Sequence, residues 1–343
     1  MWSAHLEWST AIDQNGLMTA QFTRRRCIAT LGAAMTPRYA STEQAPTPVI
    51  GLLDSSAATT LKFSAFYEGL KVEGFSRNQN LAVEYHSADG DYARLPKLAA
   101  DLVNRRVGLI TALGSPAALA AKAATASIPI VFAIDSNPIA IGLVANLNHP
   151  GANIAGVAGM ALAREQKRLE LLRAAVPATS VFGFLVNPQN SKQDAQIKDA
   201  LASALKFGVQ IKLVRASAGP EFSNVFVELA QSQAGGLVIA DDEFFLGASA
   251  ELGSLAARHN VPAVFQGAAF ATAGGLVSYG SRLAELYHQA GAYSGLVLAG
   301  AAPADLPIYQ STGTETIVNL RSAKSIGIVL PQVIIDQANT VIR

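Results

Sequence analysis

Runs of apolar residues alternate with helix-spaced apolar patterns along most of this chain. Residues 48–53, 107–113 and 128–134 are almost wholly apolar, which is typical of strands covered on both faces of a sheet. Residues 61–72 repeat apolar side chains at the spacing of a helix that buries one face. Strands and helices that alternate in this way predict an α/β fold with parallel sheets and right-handed crossovers.

The alternation occurs twice, which predicts two similar doubly wound parallel-sheet lobes with a hinge and a cleft between them. The strands at 48–53, 109–113 and 128–134 correspond to those at 181–186, 237–240 and 261–265. We predict a leader and linker at 1–47, an N-terminal lobe of 48–157 plus about 282–310, and a C-terminal lobe of 158–281 plus about 311–343. The crossings of the hinge are expected near 156–161, 279–282 and 309–314.

Short polar side chains follow the predicted strands, at the end of the sheet where open α/β folds bind ligands. Ser115 is predicted to cap a helix opened by Pro116, where backbone N–H groups favour a carboxylate. Asp241 or Asp242 on the other lobe is placed to accept hydrogen bonds from an amine. The candidate ligand-binding residues are Ser55, Ser56, Ser115, Asp135, Asn137, Asn187, Asn190, Asp241, Gln266 and Gly267.

Purely structural interpretations stand beside these candidates. Ser115 is also explained as a helix cap alone, and Asn137 and Asn187 precede prolines as turn residues do. Residues 241–243 also fit a solvated cap on the following helix. The charged run at 164–170 is most simply interpreted as a solvated helix face with i,i+4 pairs.

Composition argues against several classes of function. The chain has 343 residues, of which 15% are charged, and a net charge of +1, so no basic surface favours nucleic acid. A single cysteine, Cys27, and five scattered histidines predict neither a disulfide framework nor a metal site. The motifs GxGxxG, GxxxxGK[ST] and GxSxG are absent, so the sequence predicts no cofactor and no catalytic residues.

The beginning of the chain resembles an export signal. Arg24, Arg25 and Arg26 precede the small and apolar run 29–35, and small residues follow at 40–41. This order is typical of a secretory signal, and the paired arginines suggest its twin-arginine form beside the general secretory one. Either Met1 or Met18 fits as the start of the precursor. The prediction is a periplasmic location.

Longer stretches of sequence resemble the ABC-transporter substrate-binding protein family. The resemblance is carried by GSPAALAAKAATASIPIVFAIDSNP at 114–138, GLVANLNHPGANIAGV at 142–157, KRLELLRAAVPATSVFGFLVNPQN at 167–190 and AARHNVPAVFQGAAFATAGGLVSYG at 256–280. It covers about residues 48–335. More narrowly, the chain is similar to the branch of the family that binds tryptophan or other aromatic amino acids. The resemblance implies a type I periplasmic binding protein with ligand contacts at the candidate positions given above.

Two departures from the family pattern bear on the ligand. Many relatives have Asp-Pro where this chain has Asp135-Ser136-Asn137-Pro138, which shifts the side chain that faces the cleft. Aromatic amino-acid binders often have an acidic residue where Gln266 stands here. An amino acid, an aromatic acid and a similar small carboxylate therefore all remain open as ligands.

Together these features predict a monomeric solute receptor that closes on a small molecule and delivers it to an ABC permease with its ATPase. In the expected function no covalent bond is made or broken. A periplasmic ligand-sensing module for a signalling partner is the first alternative. An enzyme that uses the cleft between the lobes is a weaker one.

Overall fold

The computed structural model describes residues 47–160 and 164–343, and the backbone of two short strands before them. Those strands, β1 (Ala11–Ile12) and β2 (Met18–Thr19), pair in antiparallel orientation. The predicted export signal lies outside the described residues. Residues 46–343 form one compact unit that contains the rest of the fold.

A six-stranded parallel sheet is built mainly from the first half of this unit, with the strand order β13-β7-β6-β5-β3-β4. Its strands β5 and β6 are buried at every position, since helices cover both faces. Leu109 and Leu113 pack under α1 and α10, while Ile110 and Ala112 pack under α2 and α3. The elements are β3 (Val49–Asp54), α1 (Thr60–Val72), β4 (Ala82–Ser87), α2 (Leu95–Asn104), β5 (Leu109–Leu113), α3 (Ser115–Ala124), β6 (Ile130–Ile134), β7 (Ile154–Gly159), α10 (Leu283–Leu298) and β13 (Tyr309–Ser311).

A seven-stranded sheet follows, with the order β15-β14-β12-β11-β10-β8-β9. All its neighbouring strands are parallel except β12 and β14, and the sequence pattern does not predict this antiparallel pair. The elements are α4 (Arg164–Ala175), β8 (Val181–Val186), α5 (Gln193–Phe207), β9 (Gln210–Arg215), α6 (Phe222–Gln231), β10 (Leu237–Ile239), α7 (Glu243–Gly247), α8 (Ser249–Arg258), β11 (Ala263–Phe265), α9 (Ala268–Thr272), β12 (Val277–Ser281), β14 (Thr314–Asn319), α11 (Leu320–Ser325), α12 (Gln332–Asp336) and β15 (Thr340–Ile342).

Both sheets repeat one topology, so the predicted α/β class with two doubly wound lobes is confirmed. The order β4-β3-β5-β6-β7 in the first sheet matches β9-β8-β10-β11-β12 in the second. In each lobe the strand order reverses between the first strand and the third, β3 and β5 or β8 and β10. A crevice forms at such a point because the flanking helices lie on opposite faces of the sheet.

The chain passes between the two sheets three times. It leaves the first sheet after β7, returns at Arg282 between β12 and α10, and crosses again at 312–313 between β13 and β14. Among the described residues, no helix is both long enough and apolar enough to cross a membrane.

Candidate functional site

The crevice of the first lobe presents serine hydroxyl groups. The Oγ of Ser55 accepts a hydrogen bond of 2.9 Å from the backbone N–H of Ala117, in the first turn of α3. The Oγ atoms of Ser115 and Ser136 lie 2.7 Å apart and share a hydrogen bond. Ser55 and Ser115 lie at the carboxyl ends of β3 and β5, as the sequence predicts.

Ser115 does not cap α3, so that prediction was wrong. The cap is Gly114, whose φ of 92° and ψ of 151° belong to a region that is open almost only to glycine. Ser115 is instead the first helical residue. Its hydroxyl is therefore left to bond Ser136 and to face the second lobe.

A buried ion pair lies beneath these serines. Lys62 Nζ reaches both carboxylate oxygens of Asp54, at 2.9 and 2.8 Å, and also the Oγ of Ser56 at 2.8 Å. Burial raises the pKa of Asp54 even though Lys62 opposes that shift. Ser56 therefore belongs to the support of the loop after β3, where Asp54 and Lys62 hold it.

A network of arginines and carboxylates lies between the two lobes, and the sequence analysis predicted its aspartates but missed its arginines. Arg164 pairs with Asp135 at 3.0 Å and with Asp241 at 2.8 Å, and Arg168 pairs with Asp241 at 2.6 Å. Ser281 donates a hydrogen bond of 2.6 Å to Asp135. Burial by itself raises the pKa of Asp241, but Arg168 and Arg164 outweigh it and hold that pKa well below its usual range.

The interpretation of 164–170 as a solvated face is therefore wrong for its two arginines. Arg168 is fully buried, and Arg164 is nearly so. Their spacing of one helical turn places both guanidinium groups on the face of α4 that meets the strand ends. A buried face that carries charge looks the same in sequence as an exposed one, and only the carboxylates brought by other strands show the difference.

Two predicted asparagines position a carboxylate. Asn187 Nδ2 donates to Asp242 Oδ1 at 3.1 Å, and Asn190 Nδ2 donates to Asp242 Oδ2 at 2.9 Å. From the other lobe, the hydroxyl of Tyr92 donates to the same Asp242 at 3.0 Å. Asp242 also caps α7 through the backbone N–H groups of Phe244 and Phe245. This aspartate therefore joins the two lobes directly.

Three of the predicted residues form no hydrogen bond with these charged side chains among the contacts of the described residues. Asn137 is exposed, and its side chain accepts from the backbone N–H of Ile139 and Ala140, as a turn residue does. Gln266 is buried against Gly280, and its Oε1 has no hydrogen-bond partner among the described residues. Gly267 caps the short helix α9 with a φ of 89°.

Glu243 was considered in the sequence analysis only as part of the run 241–243 and was not among the candidate ligand-binding residues. It begins α7 on the second lobe and extends between the lobes, because a Cβ placed on Gly114 would lie 2.9 Å from its Cδ. A cavity of about 10 Å³ beside it is also lined by Ala133, Ile134, Asp135, Leu283, Leu286 and Tyr287. Burial raises the pKa of Glu243 to about 7, and Lys62 opposes that shift.

Lys192, at the cap position of α5, also approaches the first lobe. Its Nζ lies 3.4 Å from the Oγ of Ser115, and burial lowers its pKa. The arrangement therefore brings hydroxyl groups and one helix N-terminus from the first lobe against carboxylates and cations from the second. Such a surface can bind a small polar molecule on two sides at once.

Comparison with known proteins gives the family. The family model described as ABC transporter substrate binding protein matches residues 49–342. The chain belongs to this family. A curated relative, the tyrosine-binding protein of Clostridioides difficile (strain R20291), is 24% identical over 261 residues, 76% of this chain and 75% of that protein.

Solved structures share the fold of this substrate-binding protein. One is described as the ABC domain from Streptococcus pneumonia in complex with L-Trp, with a TM-score of 0.76, 24% identity, and coverage of 86% of this chain and 100% of that one. Another is the ligand-free, open structure of a substrate-binding protein with adhesive properties from Clostridium difficile. Its TM-score is 0.58 at 23% identity, with coverage of 86% of this chain and 99% of that one.

Proposed function

We propose that this chain is the extracytoplasmic solute-binding component of an ABC importer. In this role it captures an amino acid, an aromatic acid or a similar small carboxylate by hinge closure. It then presents the molecule to a membrane permease driven by an ATPase, as a monomer in the periplasm. Family membership supports the role, and the observation that carries the site is the meeting of two equivalent crevices, with Glu243 of one beside Gly114 of the other.

The lobes would move as bodies bounded near 157/158, 281/282 and 310/311. Direct bonds join them in this structure, such as Tyr92 to Asp242 and Asp135 to Ser281. The cavity of about 10 Å³ holds no more than a water molecule, so a solute enters only when the lobes part. A ligand that contacts both lobes binds the closed form better and shifts the population towards it.

The solved structures support a closed arrangement. Both cover 86% of this chain, yet the TM-score is 0.76 for the L-Trp complex and 0.58 for the open, ligand-free structure. The L-Trp bound in the first of these structures and the tyrosine named for the curated relative suggest aromatic amino acids as the first compounds to test.

The test is a thermal-shift and calorimetry screen of residues 46–343, refolded from denaturant to remove any bound solute. The compounds are the standard amino acids, aromatic acids and other small carboxylates. Because a ligand that binds only the native state raises the melting temperature, we expect one chemical class to stabilise the protein. Small-angle X-ray scattering with and without that compound would show closure. If no compound binds and the radius of gyration never changes, the proposal is wrong.

A further inference from the structure

The short helix α7 of the second lobe lies against three loops of the first lobe. These loops follow β5, β3 and β4, which are neighbouring strands of the first sheet. Residues near both ends of the helix take part in the contact. The facing pairs are Glu243 with Gly114, Phe244 with Gly90, and Gly247 with Ala57. The helix therefore joins the two lobes by direct contact along its whole length.

The cap of α7 adds hydrogen bonds across the same contact. The hydroxyl of Tyr92 donates to Oδ1 of Asp242 at 3.0 Å, and it accepts a hydrogen bond of 3.0 Å from the backbone N–H of Phe244. Tyr92 packs against the core of the first lobe, and the ring of Phe244 stacks on that of Phe222 in the second lobe at 5.2 Å. Both partners are therefore fixed by their own lobes, and the bonds between them favour the closed arrangement.

The seat for Phe244 on the first lobe requires a glycine. A Cβ built on Gly90 would lie 2.5 Å from Cδ2 of Phe244, which is closer than two carbon atoms can approach. The backbone N–H of Gly90 donates to the carbonyl oxygen of Ser55 at 3.0 Å, so the loop is held in this position. The phenyl ring therefore packs directly on bare backbone.

The position of this contact in the first sheet gives it leverage over opening. Gly90 and Tyr92 follow β4, which is the edge strand of that sheet. The chain crosses to the second sheet after β7 and after β13, and these two strands lie at the opposite edge. Because displacement grows with distance from a rotation axis, a hinge motion separates the contacts at Gly90 and Tyr92 more than those near the crossings.

We propose that α7, with its cap Asp242, is a latch that keeps the two lobes closed in the absence of a solute. The proposal rests on the hinge motion of the proposed function and adds that closure does not wait for a ligand. A solute then enters during openings of the latch and leaves by the same route. The latch acts in the same direction as a ligand that contacts both lobes, since each favours the closed form.

The experiment measures the distance between two spin labels, one on each lobe, by double electron–electron resonance in the full chain. Lys97→Cys and Lys198→Cys provide exposed labelling positions near the beginning of α2 and of α5, and Cys27→Ser removes the only native cysteine. The protein is refolded from denaturant to remove any bound solute. In the labelled parent chain we expect the short, closed distance to predominate before any compound is added.

Gly90→Ala places a methyl group against Phe244. We expect it to lower the ratio of closed to open molecules by about ten-fold or more, the usual effect of overpacking at a tight contact. Gly74→Ala is the matched control, because Gly74 has a φ of 84° against 87° for Gly90 but nothing within 4 Å of a built Cβ. This control should keep the distribution of the parent chain.

Tyr92→Phe tests the same latch without adding an atom. Loss of its two hydrogen bonds to the second lobe should lower the ratio of closed to open molecules by a few-fold to about ten-fold. Circular dichroism checks that each variant is folded. If Gly90→Ala does not fold, the result for Tyr92→Phe decides.

The outcomes separate the latch from the proposed function. If the parent chain is mainly open and closes when L-tryptophan or L-tyrosine is added, the latch is wrong and the solute-receptor function stands. A closed parent chain whose distances are unchanged in Gly90→Ala and Tyr92→Phe also overturns the latch. Opening in these variants while no compound of the screen binds supports the latch and contradicts the proposed function. One distance in every sample, with no compound bound, overturns both.

Discussion

The crevices of the two lobes have the same topology but opposite chemistry. At the ends of β3 and β5 the first lobe presents neutral hydroxyl groups, Ser55 and Ser115, above an ion pair that is fully internal. At the ends of β8 and β10 the second lobe presents Asp241, Asp242 and Glu243. Duplication of the fold therefore places polar groups at the same edge of both sheets. The charged groups at these strand ends belong to the second lobe, and one of them, Glu243, lies beside Gly114 of the first lobe.

The buried arginines of the second lobe give the largest expected effect. In Arg168→Met the carboxylate of Asp241 loses a partner at 2.6 Å in a site where Arg168 is fully buried. Removal of one member of a buried pair leaves an uncompensated charge, so we expect the free energy of unfolding to fall by about 3–5 kcal/mol. Urea denaturation would measure it. Arg173→Met, an exposed arginine on the same helix, should change it by less than about 1 kcal/mol, and an equal loss there would contradict the comparison.

Gly114→Ala tests the tight approach of the two crevices from the side of the first lobe. A Cβ there would lie 2.7 Å from Ser55 Oγ and 2.9 Å from Glu243 Cδ, at a backbone conformation that suits glycine. We expect a loss of about 2–3 kcal/mol in stability, and a larger radius of gyration in solution because the lobes cannot close fully. Gly142→Ala has a positive φ of 72° but open space, so strain alone should cost about 1 kcal/mol there. Equal effects would show that crowding at Gly114 is unimportant.

The ionisation of Glu243 predicts a pH dependence that the serines of the first lobe do not share. The groups that face it are Asp54, Lys62, Asp135, Asp242, Lys192 and Tyr287. Burial raises its pKa from 4.5 to about 7, so the folded chain holds this proton more tightly than the unfolded chain does. Stability therefore decreases as the pH rises through this window, and the cost is complete above it.

Glu243→Gln removes this cost. Without ligand, we expect the variant to be more stable than the wild type by roughly 1–3 kcal/mol at pH 8, and to show almost no difference at pH 4. Urea denaturation at both pH values measures the change, with Glu251→Gln as the exposed control that should track the wild type. A gain of the same size at both pH values would contradict an origin in ionisation.

Tyr92→Phe gives the smallest expected effect, because it weakens only one contact between the lobes. It removes the hydroxyl that donates to Asp242 at 3.0 Å, while Asn187 and Asn190 still hold that aspartate. We expect a loss of about 1 kcal/mol and, because closure becomes less favourable, a few-fold weaker ligand affinity. Calorimetry would measure the affinity. Tyr293→Phe loses a hydrogen bond to Pro307 within the first lobe, so ligand affinity should be unchanged in it.

Much of the fold could be predicted from the sequence because period and composition are local properties. The strand at 181–186 and the helix at 61–72 agree with the observed β8 and α1, and the repeated order of strands follows the predicted correspondence. The antiparallel pairing of β14 with β12 was not predicted. The direction of β14 depends on the chain crossing that precedes it, and the pattern of apolar residues within the strand does not show this crossing. The short helix α7 was missed because a helix of five residues has too few turns to show a period.

The sequence predicted where the residues of the candidate site lie in the fold, but it did not predict which side chains they contact. Polar residues after strands pointed to Ser55, Ser115, Asn187 and Asn190, and all four lie at the facing crevices. Their chemistry depends on atoms from distant parts of the chain: Asn187 and Asn190 hold Asp242, and Ser115 meets Lys192. The roles of these residues as ligand contacts remain predictions.

The sequence by itself determined the class of fold, its duplication and the strand ends at which polar groups collect, because these follow from the spacing of apolar residues along the backbone. Only the tertiary structure decided which charges are neutralised by a partner. Arg164 and Arg168 look like surface residues until Asp135 and Asp241 are brought to them from other strands. Electrostatic free energy depends on burial and on distances between charges, and both are properties of the folded chain.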